Sequence, residues 1–135
     1  MIVVDTNIIT YLYLPTDYTK KAEDLLIEEP IWVAPILWRS EFRNILALYI
    51  RKRILAFEQA VQIQAEAESL MENNEYQVNS LDILNLIQNS SCSAYDCEFV
   101  ALANSLKTKL VTADKKIISE FPNTAATIES ALDER

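Results

Sequence analysis

Glycine and histidine are both absent from the 135 residues of this chain, and each absence excludes a class of site. Without glycine there is no glycine-rich loop of the kind that cradles nucleotide phosphates. Without histidine there is no Ser-His or Cys-His nucleophile pair, and Cys92 and Cys97 cannot complete a four-ligand zinc site. We expect both cysteines to be reduced packing residues. Aspartate and glutamate remain as the plentiful candidates for acid, base or metal ligand.

Long apolar runs are missing as well, although half of the residues are hydrophobic. No run approaches the roughly 20 residues that a membrane-spanning helix needs. No basic segment or small-residue cleavage site marks the N-terminus. We therefore expect a single domain over residues 1–135, located in the cytoplasm and without a membrane partner, whose last few residues form a flexible tail.

Acidic residues outnumber basic ones, 20 to 12, which gives a formal net charge of −8. Such a balance repels nucleic acid on average. The basic residues nevertheless cluster in sequence at Arg39, Arg43, Arg51, Lys52 and Arg53. This cluster is either a solvated helix face or a track for a nucleic-acid substrate.

Short apolar, β-branched segments alternate with segments of helical periodicity along the chain. We predict strands at residues 2–5, 31–34, 76–78, 109–112 and 125–128. We predict helices at residues 6–14, 18–29, 36–54, 57–73, 80–89, 94–107 and from 115. Pro35 is expected in the first turn of the third helix. Strands separated by helices predict an α/β domain with a parallel sheet, whose ligands bind beyond the carboxyl ends of the strands.

Two aspartates fall at this edge of the predicted sheet. Asp5 closes the first strand, and Asp114 lies just beyond the fourth. Both are therefore candidates for a binding or catalytic site. The alternative for each is an ordinary role as the N-cap of the helix that follows.

Glu41 is an acid on the apolar side of a helix. At about 100° per residue, it falls between Leu37 and Ile45 on the apolar arc, whereas Asn44 lies on the opposite, polar face. An ionised carboxylate in that position is costly unless it is paired or bound to a cation. The alternative to a cation is a buried salt bridge with Lys52, which lies near the same arc.

Asp96 repeats this anomaly on a later helix. It lies with Val100 and Ala103 on the apolar side, whereas Glu98 points away. The alternative here is a capping interaction with Ser93, three residues earlier.

Acids from strand ends and helix faces would therefore meet at one place. They are Asp5, Glu41, Asp96 and Asp114. Together they would repel one another and raise their own pKa values unless a divalent cation entered. Ligation by oxygen alone favours Mg²⁺ or Mn²⁺ over zinc. The polar side chains beside the acids are Thr6, Asn7 and Thr112, for which ordinary capping and turn bonding are the alternative.

Four segments resemble, in order and spacing, the acidic signature of PIN domains, and most closely that of the VapC toxins of toxin-antitoxin pairs. They are VVDTNII with Asp5, SEFRNIL with Glu41, SAYDCEFVALA with Asp96, and LVTAD ending at Asp114. The resemblance runs from residue 1 to about residue 118. It implies a three-layer α/β/α PIN-like fold with a central parallel sheet of about five strands.

The resemblance also implies an activity, namely endonucleolytic cleavage of RNA with Mg²⁺ or Mn²⁺. It implies a homodimer and an antitoxin protein whose tail occupies the acidic pocket. Asp5 and Asp96 would be the main metal ligands, Glu41 and Asp114 would complete the cluster, and Thr112 would support it. The alternative is a catalytically silent PIN-like binding module that acts through a partner protein.

The chain departs from the family pattern after its last aspartate. Many relatives carry another acid two or three positions later, whereas Lys115, Lys116 and Ile117 follow here, so whether a second metal binds stays open.

Two other classes of protein with an aspartate after the first strand fit this sequence less well than PIN domains do. Haloacid-dehalogenase-like phosphatases want a second aspartate where this chain has Asn7, and receiver domains want an acidic pair after the first strand.

Overall fold

Five short parallel strands form the sheet of the computed structural model, which describes residues 1–133. They are β1 (Ile2–Val4), β2 (Trp32–Pro35), β3 (Glu75–Tyr76), β4 (Leu110–Val111) and β5 (Ala125–Ala126). Their order across the sheet is β3-β2-β1-β4-β5, and every neighbouring pair is parallel. The residues of β1, β2 and β4 are buried, as expected for a parallel sheet covered on both faces.

Helices cover both faces of this sheet. They are α1 (Thr6–Tyr13), α2 (Thr19–Glu28), α3 (Trp38–Arg51), α4 (Phe57–Met71), α5 (Ser80–Gln88), α6 (Ala94–Leu106), α7 (Lys115–Glu120) and α8 (Ile128–Asp133). Helix α6 packs across β1, β2 and β4 and carries α5, whereas α1 contacts α2, α3 and α4. Right-handed crossovers place these two groups on opposite faces. The predicted three-layer α/β/α fold is confirmed. In the part of the chain that is described, no helix is long and apolar enough to cross a membrane.

The strand order creates a crevice beside β1. The chain leaves β1 for β2 and β3 on one side and then returns to β4 on the other side. At such a switch point, the connections leave the carboxyl ends of the two strands in opposite directions, and ligands bind between them. Asp5 follows β1 directly, and Asp114 comes shortly after β4. The fold therefore brings these two aspartates to one crevice.

Pro35 is the last residue of β2, so its predicted place in the first turn of a helix is wrong. The flanking residues Ala34 and Ile36 donate their backbone N–H groups to the segment of β3, at 3.1 and 3.0 Å. The nitrogen of Pro35 therefore faces away from β3 and toward the side of β1. On that side, the pairing with β1 involves Trp32 and Val33 and does not reach Pro35. A proline at such a position costs no ladder hydrogen bond. Helix α3 begins later than predicted, at Trp38.

Helix α8 begins where the sequence predicts the end of a strand. The strand β5 ends at Ala126, and α8 follows it and packs against α2. Its first residue, Ile128, is buried, and Glu129 forms an ion pair with Lys21 of α2 at 2.9 Å. The flexible tail predicted for the last few residues ends at residues 134–135, which lie outside the described residues.

Arg39 is committed to a structural network at the start of α3. Its guanidinium donates to both carboxylate oxygens of Glu75, at 2.6 and 2.7 Å, and to Glu68 at 3.0 Å. The indole of Trp38 also donates to Glu75, at 2.7 Å. Arg39 accordingly lowers the pKa of Glu75. This member of the basic cluster ties α3 to β3 and α4. The other members of the cluster are exposed or lie on the exposed end of α3, so both interpretations stay open for them.

Candidate active site

Asp5 joins two roles that the sequence offers as alternatives. It is the N-cap of α1, where Oδ1 accepts the backbone N–H of Thr6 at 2.8 Å. Its second oxygen, Oδ2, accepts the hydroxyl of Thr112 at 2.6 Å. Burial raises the pKa of Asp5, the nearby Asp96 and Asp114 raise it further, and the two hydrogen bonds act in the opposite direction. The side chain is therefore a cap and also a buried carboxylate held toward the crevice.

Thr112 and Asn7 link the ends of β1 and β4. Thr112 is fully buried; it donates to Asp5 and accepts the backbone N–H of Asp114 at 3.0 Å. The amide oxygen of Asn7 accepts the backbone N–H of Ala113 at 3.4 Å. These bonds fix the two strand ends to each other.

Asp114 is likewise an N-cap, in this case of α7. Its Oδ1 accepts the backbone N–H groups of Lys116 and Ile117, at 2.8 and 3.2 Å. The capping alternative is therefore correct for Asp114 as well. Even so, its negative charge raises the pKa of Asp96, and both residues line the same depression.

Glu41 is held by a hydroxyl and not by a base. Its Oε1 accepts the hydroxyl of Thr6 at 2.6 Å. In the described residues no ion pair joins it to Lys52, so the salt-bridge alternative is wrong. Burial raises the pKa of Glu41, and the charges of Asp5 and Asp96 add to the effect. Two threonines, Thr6 and Thr112, thus orient two of the four acids.

Asp96 lies in the first turn of α6. The hydroxyl of Ser93 caps this helix by accepting the backbone N–H of Asp96 at 3.1 Å, so the predicted capping interaction is present. It does not account for the carboxylate, which is half-buried. Burial and Asp114 raise its pKa, whereas Ser93 and Lys116 act to lower it.

The four acids line a single depression of about 320 Å³ at the carboxyl edge of the sheet. Thr6 and Asn7 line it too, and Thr112 reaches it through its bond to Asp5. The structure therefore brings together the whole set of site residues predicted from the sequence. Acids that lie far apart in the chain share one crevice because strand ends and helix starts meet there.

Comparison with known proteins agrees with this arrangement. The family model of the PIN domain matches residues 2–123 of the chain, which include all four acids. The chain belongs to the PIN domain family. The resemblance that the four sequence segments predict is confirmed.

A relative and two solved structures are similar to this PIN domain over nearly its whole length. Ribonuclease VapC3 of Pyrobaculum aerophilum is 28% identical over 137 residues, covering 90% of this chain and 95% of the relative. FitAcB of Neisseria gonorrhoeae has a TM-score of 0.75 at 14% identity, over 96% of this chain and 99% of that one. A toxin-antitoxin complex of Klebsiella pneumoniae gives 0.71 at 17% identity, over 95% and 98% of the two chains. The structural likenesses show the fold.

Two residues of the PIN domain site lie elsewhere than the sequence predicts. Asn44, expected on the opposite face of α3, lines the depression. It is three positions after Glu41, and residues at that spacing are neighbours on a helix surface. This spacing could have predicted its place, whereas the division of the helix into an apolar and a polar face did not. Glu98, expected to point away, is half-buried, and its charge raises the pKa of Glu41. The acidic character of the site therefore extends beyond the four predicted acids.

The donor set of this PIN domain suits a hard divalent cation. It offers the oxygens of carboxyl groups. Burial and mutual repulsion raise the pKa values of the carboxyl groups of Asp5, Glu41 and Asp96. Within residues 1–133, no three acidic, cysteine or histidine side chains form a group that could hold one ion by themselves. Mg²⁺ usually binds through only one or two carboxylates and keeps several waters, so it does not require such a group.

Proposed function

We propose that this PIN domain is a Mg²⁺- or Mn²⁺-dependent endoribonuclease and the toxin of a type II toxin-antitoxin pair. The observation that carries the proposal is the convergence of four carboxylates on one depression at the switch point of the sheet. Burial and neighbouring carboxylates raise the pKa values of Asp5, Glu41 and Asp96, and in the described residues no ion pair forms with these three acids. The name of the relative Ribonuclease VapC3 supports RNA as the substrate.

Each acid has a role in this proposal. Asp5 and Asp96 hold the cation, and Glu41 and Asp114 complete its surroundings. A bound divalent cation would supply Lewis acidity, which lowers the pKa of an attacking water and neutralises charge on the leaving oxygen. Thr112 keeps Asp5 turned toward the crevice. Thr6 engages Oε1 of Glu41, which leaves Oε2 to exchange a proton with a water molecule in the depression.

The direct test is cleavage of single-stranded RNA by the purified protein. We expect cleavage with Mn²⁺ or Mg²⁺, complete loss in excess EDTA, and recovery when the cation is restored. Cleavage that persists in excess EDTA contradicts a metal-dependent site. The alternative, a silent binding module, predicts that calorimetry detects cation binding while every RNA stays intact.

We also propose an antitoxin protein as partner, a homodimer, and a cytoplasmic location, as the family resemblance implies. A separate groove of about 420 Å³ between α3 and α4 supports a protein partner. It is lined mainly by apolar side chains, and Phe57 and Val61 on it are 66% and 51% exposed. Apolar surface of this kind is typical of a protein-protein contact. Co-expression with the product of the adjacent reading frame tests this partner, with loss of RNA cleavage in the complex as the expected result.

A further inference from the structure

A second depression, of about 250 Å³, lies beside the acidic one. It sits beyond the carboxyl ends of β4 and β5, between α1, α7, α8 and the residue that precedes α2. We call it the tyrosine pocket. The lining residues that matter here are Tyr11, Tyr18, Thr112, Lys115, Thr127 and Glu129. Thr112 also donates to Asp5, so one buried hydroxyl separates this pocket from the acidic site.

Two stacked aromatic rings form one wall of the tyrosine pocket. The rings of Tyr11 and Tyr18 are 4.9 Å apart and inclined by 26°. Tyr18 keeps 46% of its surface exposed, so its ring is accessible from solution. Burial raises the pKa of Tyr11, and so do the neighbouring Tyr18, Glu129 and Asp5. The hydroxyl of Tyr11 therefore stays protonated at neutral pH and can donate a hydrogen bond.

Lysines flank these rings, although the chain as a whole is acidic. Lys21 lies over the ring of Tyr18, at 5.9 Å from its centroid, and pairs with Glu129 at 2.9 Å. Lys115 lines the pocket and is exposed directly beside Asp114. Aromatic rings next to cationic side chains are the combination that single-stranded nucleic acids use, because bases stack on the rings and phosphates approach the cations.

We propose that the tyrosine pocket binds one nucleobase of the RNA strand, next to the phosphate that is cut at the acidic site. This inference rests on the proposed ribonuclease function. The base stacks on the face of the Tyr18 ring that Tyr11 does not cover, where it takes the place of Lys21. Lys115 faces the phosphate between that base and the cleavage position. The shared residue Thr112 places the two depressions side by side, as two neighbouring nucleotides require. Helix α8 closes the pocket, which gives a role to an element that the sequence pattern does not predict.

An abasic scan of the substrate, combined with substitution of Tyr18, tests this inference. Cleavage rates are compared for an intact single-stranded RNA and for versions that lack one base at successive positions around the cut. With the wild-type protein, we expect loss of one particular base to slow cleavage about tenfold, the order of magnitude of one base-aromatic stack. Tyr18→Leu should slow cleavage of the intact RNA by a similar factor and should no longer respond to that abasic position.

Matched variants separate recognition from folding. Tyr18→Trp keeps a ring and should restore both the rate and the response to the missing base. Tyr76→Leu removes another exposed tyrosine, on β3 at the far edge of the sheet, and should change neither. A purely structural role of Tyr18 predicts that its loss slows intact and abasic substrates equally. That result contradicts the inference, as does a wild-type protein that is indifferent to every abasic position.

Binding of RNA to the Asp96→Asn variant distinguishes failure of the inference from failure of the proposed function. The probe is a fluorescein-labelled single-stranded RNA, measured by anisotropy with and without Tyr18→Leu. If no RNA is cut but binding depends on both Tyr18 and one base, the pocket assignment stands and the nuclease proposal falls. If RNA is cut but neither rate nor binding depends on Tyr18, only the pocket assignment falls. If RNA is neither cut nor bound, both the nuclease proposal and the pocket assignment are wrong. The pocket would then be expected to bind a side chain of a partner protein.

Discussion

Asp5→Asn and Asp96→Asn are each expected to reduce RNA cleavage by about 10²- to 10⁴-fold, the range for loss of a positioned acid-base or charge-stabilising group. Asparagine has nearly the same shape and keeps one oxygen, so the cap of α1 by residue 5 can survive the change. What disappears is the negative charge that holds the cation. The measurement is the single-turnover rate constant for cleavage of one labelled RNA at fixed Mn²⁺.

Asp82→Asn is the matched control for these variants. Asp82 lies in the first turn of α5, is exposed, and does not line the acidic depression. The same chemical change at this position should leave the rate within about twofold, because surface substitutions away from special features have small effects. Cleavage that survives both Asp5→Asn and Asp96→Asn, with the fold intact by circular dichroism, would mean that the site is misassigned.

Mn²⁺ is expected to raise the melting temperature of the wild-type protein by about 10 °C at a hundredfold excess over its dissociation constant. Binding to the folded state alone contributes about 2.7 kcal/mol at that excess, and a domain of this size gains several degrees for each kcal/mol. The physical cause is the set of buried, mutually repelling carboxylates, whose charge the cation compensates. Differential scanning calorimetry in EDTA and in Mn²⁺ measures the difference.

The pH dependence of this stabilisation follows from the raised pKa values of Asp5, Glu41 and Asp96. A carboxyl group whose pKa is raised in the folded state holds a proton there that the unfolded chain has already released. Stability from these groups is therefore present at low pH and is lost as pH rises through the raised folded values. The effect of Mn²⁺ should be larger at pH 7 than at pH 5. Fully ionised carboxylates both destabilise the metal-free protein and bind the cation more strongly.

Asp5→Asn reverses this balance. In EDTA it should melt at a higher temperature than the wild type, because it removes a buried charge near Asp96 and Asp114. It should also lose most of the stabilisation by Mn²⁺, whereas Asp82→Asn should keep it. An equal response of wild type and Asp5→Asn to Mn²⁺ would show that the cation binds outside the acidic depression.

The sequence predicts the acidic site well because each acid violates a local rule that the fold must answer. Asp5 and Asp114 stand at strand ends, where an α/β sheet builds its sites. Glu41 and Asp96 stand on the core side of helices, where a bare charge is costly. In three of the four cases the capping alternative is also true, since Asp5 and Asp114 cap helices and Ser93 caps at Asp96. Capping and site formation are compatible because each carboxylate oxygen has more than one lone pair and because the cap at Asp96 uses its backbone N–H.

What the sequence does not predict depends on contacts between distant segments. The place of Pro35 in a strand depends on which neighbour its nitrogen faces, and that is set by the pairing of β2 with β1 and β3. Helix α8 is short and is stabilised by packing on α2, which no local pattern reveals. The tyrosine pocket is assembled from three helices and the segments between elements. Its stacked pair, Tyr11 and Tyr18, reads in the sequence as ordinary amphipathic helix residues.

One divalent cation is expected to bind where the four acids meet. The most direct measurement is anomalous X-ray diffraction from a crystal of the protein grown with Mn²⁺. We expect an anomalous peak in the depression between Asp5, Glu41, Asp96 and Asp114, and no such peak in a crystal of Asp96→Asn prepared in the same way. A depression without manganese in the wild-type crystal, or with a peak unchanged by Asp96→Asn, would mean that the four acids do not form the cation site.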